Sequence, residues 1–369
     1  MPDACYVQLL DQLKHDYTNA PAAVFILWLE ESFSLRPSEL AELQTKNANL
    51  ILMGNRIDTI APFQHAGFNA QLSDFDASAL PAADHIYFRV TKERLLSHHL
   101  LNSSCALLKP KGTLYLVGKK DDGIKTYASN CTKHLGLLGS LKKNKDTYSA
   151  SFGLRTKKNT TASISPLKTD DYHRLRHVAD VNIEEKAFRI FSKPGVYGWK
   201  KVDQGTQFLV DTLIQQKRDL GLEMLSGDNR SALDLGCGSG HLSLAAHALG
   251  FGEIVATDNN IAAIAATELT CTENGVEVSA FIDNCAANIT DRFDTILCNP
   301  PFHKGKDTNN NLTELFVNTA ARLLSRHGCA YFVTNTFIGI EKHIERAGLK
   351  FKTVDRNGQF KVMKIERQS

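Results

Sequence analysis

Two neighbouring stretches of this chain combine residue types that could hold a small ligand. In Leu233-Asp-Leu-Gly-Cys-Gly-Ser-Gly240 an apolar run enters three glycines at alternate positions, Gly236, Gly238 and Gly240, and a helical pattern follows. Glycines there let a ligand approach the backbone closely, and the first turn of the helix offers unpaired N–H groups. The spacing is G-x-G-x-G, whereas a dinucleotide-binding turn reads G-x-G-x-x-G with a pyrophosphate on the helix end. The acidic residue, Asp234, sits inside the strand, poorly placed beside a pyrophosphate and suited to a ligand that carries an ammonium group. Further on, Ile254-Val-Ala-Thr-Asp258 ends in a carboxylate that can take both hydroxyls of a ribose. The alternative for Asp258 is a cap on the helix that begins near Ile261. One strand later, Phe281-Ile-Asp-Asn284 brings Asp283 or Asn284 to the same edge.

A third stretch, Asn299-Pro300-Pro301-Phe302, is the most specific feature of the chain. Its prolines fix φ and supply no N–H, so the backbone is stiff and its carbonyls are free to point into a site. The amide oxygen of Asn299 and the carbonyl of Pro300 are then two acceptors converging on one NH₂ group, with Phe302 as a flat face for stacking. That suits the planar exocyclic amine of a nucleobase. The amine lone pair is delocalised into the ring, so methylation requires the nitrogen to pyramidalise, and two oriented acceptors stabilise the developing charge. No base of raised pKa is needed. As a purely structural element, Asn-Pro-Pro also starts loops well after any strand.

The glycine turn resembles motif I of the class I S-adenosylmethionine (SAM) methyltransferases, and the motifs together look like an N-methyltransferase. Three flanking segments narrow the resemblance: Pro194-Gly-Val-Tyr-Gly-Trp-Lys-Lys-Val-Asp203-Gln-Gly205-Thr-Gln-Phe-Leu209, His303 after Phe302, and Gly358-Gln-Phe-Lys-Val362. All are similar to segments of the ribosomal RNA small subunit methyltransferase C family. Tyr197-Gly198-Trp199 replaces that family's usual Phe-Ser-Arg, and Gln359 its Arg. The resemblance is clear over residues 185–365 and weak over 1–160. It implies SAM as cofactor, bound by Asp234, Gly236, Cys237, Gly238, Gly240, Asp258, Asn259, Asp283, Asn284 and Asn299, with Asn299, Pro300 and Phe302 as catalytic residues. It also implies methyl transfer to the exocyclic N2 of one guanine in 16S rRNA, within the small ribosomal subunit. Rival expectations are a 23S rRNA guanine-N2 methyltransferase, a glutamine methyltransferase of release factors, and a non-catalytic ribosome-assembly protein with a vestigial SAM site. Intact Gly236, Gly238, Gly240, Asp258 and Asn299 argue against the last.

The elements that must position these residues alternate short apolar runs with helical spacing. Ala232–Leu235, Ile254–Thr257, Val278–Ile282, Thr295–Cys298, Ala330–Thr334 and Phe360–Ile365 read as strands; Leu242–Leu249, Ile261–Asn274 and Leu312–Leu324 read as covering helices. This pattern predicts βαβ units around a mainly parallel sheet. The N-terminal half repeats it faintly: Leu50–Gly54 can be laid on Ala232–Gly236, Asp84–Phe88 on Asp294–Cys298, and Leu107–Val117 on Leu323–Val333. An internal duplication follows as the expectation. With the resemblance, the expected fold is α/β: two tandem class I methyltransferase-like domains, each Rossmann-like with a seven-stranded, mainly parallel sheet, the first degenerate. The polar stretch 156–168 suggests a division into 1–165, for RNA or substrate binding, and 166–369, for catalysis.

The 369 residues are 43% apolar and 22% charged with a net charge of +3, ordinary globular usage. Between Lys109 and Lys158, however, 12 basic residues face three acidic ones, a local +9 that would attract a polyanion. Lys142, Lys143 and Lys145 are therefore expected to bind RNA, and His303 to contact substrate. A solvated lysine-rich surface is the alternative. Eight cysteines show no C-x-x-C spacing, and His98-His99 lack partners at ligand spacing, so neither metal nor disulfides are expected. With no apolar run near the roughly 18 residues of a membrane span and no basic leader, a cytoplasmic, monomeric protein is expected.

Overall fold

The computed structural model describes residues 3–30, 36–44, 49–154, 165–220, 227–301 and 306–368. They form two units, Met1–Arg174 and Leu175–Ser369. In the first unit, β1 (Phe25–Leu29), β2 (Leu50–Gly54), β3 (Asn69–Leu72), β4 (Ala83–Arg89), β5 (Leu108–Lys119), β6 (Leu137–Asn144) and β7 (Thr147–Leu154) make one sheet in the order β3-β2-β1-β4-β5-β7-β6. The second unit opens with a hairpin of β8 (Arg176–Ile183) and β9 (Lys186–Ser192). Then β10 (Gly227–Leu235), β11 (Phe251–Asp258), β12 (Ser279–Ile282), β13 (Phe293–Cys298), β14 (Leu324–Asn335), β15 (Leu349–Arg356) and β16 (Phe360–Arg367) make a sheet in the order β12-β11-β10-β13-β14-β16-β15. The two orders are the same. In each, six strands point the same way and the penultimate one, β7 or β16, is antiparallel to both neighbours.

Continuous apolar strands build this architecture, because a parallel strand is covered on both faces. Every residue of β1, Phe-Ile-Leu-Trp-Leu, is buried. Ile26 and Trp28 join one core with Phe88, Leu100 and Leu114, while Phe25, Leu27 and Leu29 join another with Leu9, Leu13 and Tyr17 of the helix Ala4–Asn19. That is the two-residue alternation of a strand. In the second unit, Ala232 packs with Leu209 and Leu213 of the helix Gln204–Leu220, and Leu233 and Leu235 pack with Phe316 and Val317 of the helix Lys306–Leu323.

Three sequence expectations need correction. The division falls at Arg174/Leu175, beyond the expected 165/166, because Leu167 and Tyr172 are buried in a core of the first unit. Lys168 O also meets His98 Nδ1, and Asn102 holds both the N–H and the carbonyl of Leu167. Leu50–Gly54 is β2, the counterpart of β11; the strand equivalent to β10 is β1. The other two alignments stand, since β4 matches β13 and β5 matches β14 in sheet position. Finally, β8, β9 and β15 were not expected: charged residues alternate along them and hide the apolar signal.

Candidate active site

The order of the second sheet reverses between β10 and β13, and in open α/β sheets ligands bind outside the carboxyl ends of strands at such a switch point. The glycine turn leaves β10 there, Asp258 ends β11, Asp283 follows β12 and Asn299 follows β13. Gly236 N–H and Cys237 N–H both donate to Thr257 O, at 2.8 and 2.9 Å, which ties the turn to β11. Gly238 and Gly240 both have left-handed backbone, with φ of 58° and 81°. A Cβ on Gly238 would meet nothing within 4 Å, so that peptide faces open space; one on Gly240 would lie 3.2 Å from Thr267 Cα, so that position serves close packing on the helix Ile261–Glu273.

Asp258 is not the cap of that helix. Asn260 is, its Oδ1 accepting from Ala262 N–H at 2.9 Å. The Asp258 carboxylate instead accepts from Gly238 N–H (3.1 Å) and Asn260 N–H (2.9 Å), half-exposed at the strand end. Beneath the turn, Asp234 is 1% exposed. Its Oδ2 accepts from Ser243 Oγ at 2.7 Å, and its Oδ1, also buried, has no hydrogen-bond partner. Burial pushes its pKa up to about 7 despite the Ser243 bonds, and the Asp258 charge adds to the rise. An open glycine peptide, a carboxylate at the strand end and an orphaned acid oxygen together fit a ligand with a ribose and an ammonium group.

On the other side of the switch point, Asn299 Nδ2 donates to Asp203 Oδ1 and to Thr206 Oγ1, both at 2.8 Å. A carboxylate can only accept, so the amide group facing it is the NH₂. Oδ1 makes no hydrogen bond among the described residues. His241, the first residue of the helix after the glycine turn, is 6% exposed; burial lowers its pKa to about 4, with the Asp203 charge opposing. It is a neutral neighbour.

Residues 187–364 match the family model of the methyltransferase small domain. The chain is similar to ribosomal RNA small subunit methyltransferase C of Pseudoalteromonas translucida, 28% identical over 79% of this chain and 77% of the relative, and of Vibrio parahaemolyticus, 26% identical over 95% of each. A solved structure with a TM-score of 0.76 is the T. thermophilus 16S rRNA N2 G1207 methyltransferase (RsmC) in complex with AdoMet and guanosine, 23% identical, covering 94% of this chain and 89% of that one. The chain is thus similar to the ribosomal RNA small subunit methyltransferase C family over most of its length. It carries two sheets of one order, and the corresponding edge of the first unit differs in chemistry.

At the place of Asn299 in that unit stands Arg89, at the end of β4. It is 7% exposed and forms ion pairs with Asp3 (2.9 Å) and Asp122 (3.2 Å). Burial works against its charge, but Glu30, Tyr6, Asp122 and Asp3 outweigh that and raise its pKa. Glu30, which follows β1 where the second unit has its glycine turn, is 1% exposed and accepts from Tyr6 Oη. The first unit's edge is filled by a buried ion cluster.

In the second unit, the structure brings Gly236, Gly238, Gly240, Asp258, Asn259, Asn299 and Pro300 to one edge. Two expected cofactor contacts turn away from it. Cys237 buries its thiol with Ala256 and Ile264, burial holding its pKa well above the usual value, so only its peptide remains at the turn. Asp283 is 3% exposed, and its carboxylate accepts from Ala287 N–H, Asn288 N–H and Asn288 Nδ2, which secures the following loop. Asn284 beside it is exposed. Phe302 and His303 lie outside the described residues. Sequence reasoning passed over Asp203 and Thr206, whose partner is 93 to 96 residues away. It also passed over Phe337, 81% exposed just beyond β14. Among the described residues no three His, Cys, Asp or Glu side chains form a metal-binding group, and no helix is long and apolar enough to cross a membrane.

Proposed function

We propose that this protein methylates the exocyclic N2 of one guanine in 16S rRNA with SAM as donor. The observation that carries the reading is the fixed Asn299 amide, its NH₂ engaged by Asp203 and Thr206 and its Oδ1 left without a partner among the described residues, beside Pro300 and across the switch point from the glycine turn. SAM supplies an electrophilic methyl group on a sulfonium. Asp258 holds the ribose hydroxyls, the open peptide at Gly238 admits the donor, and Asp234 lies below for its ammonium group. Asn299 Oδ1 and the Pro300 carbonyl would accept from the guanine amine, favour its pyramidal form and stabilise the positive charge that grows on nitrogen as the N–C bond forms and the donor's S–C bond breaks, its electron pair returning to sulfur as a neutral thioether. Placement and electrostatics suffice, and the proton leaves to water. The relatives' names support the choice of small-subunit RNA.

In this reading the second unit does the chemistry as part of a cytoplasmic monomer, and the first unit grips RNA. Lys142, Lys143 and Lys145 are exposed along β6 and its turn into β7. Lys142 also lines a cavity of about 400 Å³ with Gln8, Gln12, Tyr115 and Ser149. The test is to supply labelled SAM to deproteinised rRNA, to 30S particles and to 50S particles in parallel, then map the label. Label at one guanine N2 of 16S RNA is the expected result. Label confined to 23S RNA or to protein would overturn it, and SAM binding with no transfer would point to an assembly protein.

A further inference from the structure

Asp203 Oδ1 accepts three donors: Thr206 N–H at 2.9 Å, Thr206 Oγ1 at 3.4 Å and Asn299 Nδ2 at 2.8 Å. The first alone would be an ordinary cap of the helix Gln204–Leu220. The third reaches across to the end of β13. Gly205 makes room for it: a Cβ there would lie 3.1 Å from Asp203 Oδ1, 3.2 Å from Phe360 Cε1 and 3.5 Å from Asn299 Nδ2. Two acceptors on one NH₂ leave the amide a single orientation, because turning it over would set Asn299 Oδ1 against a carboxylate oxygen. His241 is the nearby group whose protonation could draw Asp203 away, and its burial keeps it neutral.

We propose that Asp203, with Thr206 and the space left by Gly205, is the positioning element that points Asn299 Oδ1 at the substrate amine. This rests on the proposed methyl transfer. Without the element, the amide would be free to present NH₂ to NH₂, and the acceptor pair would be absent for part of the time. The rival role is a staple joining helix to strand, which the first unit shows: Asp3 caps the helix Ala4–Asn19 and grips Arg89 at the place of Asn299, through Nε and Nη2 at 3.1 and 2.9 Å. A staple acts on stability; a positioning residue acts on turnover, and only through Asn299.

The two are separated by a double-mutant cycle in the full chain, with 30S particles and saturating SAM, reading single-turnover methyl transfer, SAM affinity by calorimetry and Tm. Asn299→Ala should lose on the order of 10²–10³ in turnover. Asp203→Ala should lose roughly 10- to 100-fold, the scale of a misplaced reacting group, with SAM affinity within about twofold of the parent. Asp203→Asn, which keeps an acceptor oxygen, should regain most of that loss. The double variant Asp203→Ala/Asn299→Ala should be no slower than Asn299→Ala alone. Should Asp203→Ala fail to fold, Gly205→Ala takes its place in the cycle with the same expected non-additivity. Losses that multiply, or an Asp203→Ala enzyme with parental turnover while Asn299→Ala is impaired, would overturn the positioning role and leave the methyl-transfer reading intact. Parental turnover by Asn299→Ala would overturn both.

Discussion

Asp258 and Asp234 lie on neighbouring strands of one sheet, yet their carboxyls are set for opposite behaviour. Asp258 holds two backbone N–H groups at a half-exposed strand end, as a charged acceptor should. Its replacement by Ala should weaken SAM binding by about 1.5–3 kcal/mol, since hydrogen bonds to a charged group disappear. Calorimetry showing unchanged affinity would remove it from the pocket. Asp234 is buried with its pKa raised to about 7, so its folded form keeps a proton that the unfolded form releases near pH 4. Its contribution to stability is full below about pH 4 and is lost as the pH rises to about 7. His241, depressed to about 4, has the opposite sign: its contribution is full above about pH 6.5 and is lost as the pH falls through 4. Without ligand, Asp234→Asn should therefore gain Tm relative to the parent from pH 4 to 7 and hold a constant difference above. A difference in Tm that does not vary with pH would show that the carboxyl stays ionised.

At the scale of elements, the glycine turn separates two uses of one residue type. Gly238→Ala and Gly240→Ala should each cost about 1–2 kcal/mol for left-handed backbone. Gly240→Ala should lose further stability, because its Cβ would press on Thr267 Cα, whereas Gly238→Ala should lose ligand affinity instead. Thermal unfolding and calorimetry on the same two variants check the split; equal losses in both measurements would refute it. This turn was legible in sequence because strand, glycines and helix are contiguous, and β10, β11, β13 and β14 were legible because burial on both faces writes unbroken apolar runs. The edge strand β15, Leu-Lys-Phe-Lys-Thr-Val-Asp-Arg, was not, since lysines stud an exposed edge. The match of Leu50–Gly54 to β10 failed for a different reason. A terminal glycine makes the two segments look alike, while the real counterpart, β1, is followed by Glu30 and no glycine at all. The pairing of Asp203 with Asn299 depends on which helix start meets which strand end, and no local pattern records that.

For the whole molecule, each core is drawn from residues of its own unit, so the roles of the two units can be probed separately. Replacing Lys142, Lys143 and Lys145 with Gln should flatten the slope of log K against log salt for RNA by about 0.7–0.9 for each phosphate no longer neutralised, and raise KM for RNA, with SAM affinity unmoved. A parental slope and KM would make these lysines a guard on an exposed sheet edge and nothing more. The sheet of the first unit is intact; what has changed is the ion cluster at its carboxyl edge. Arg89 holds that cluster together through its ion pairs with Asp3 and Asp122. Replacing Arg89 with Asn would leave Glu30 and Asp122 in the interior, with Asp3 beside them, without their cation, at a cost of about 3–5 kcal/mol for a broken buried pair, read as a fall in Tm. The charges that fill this edge are therefore a keystone: they hold it shut against a ligand only while all of them are present.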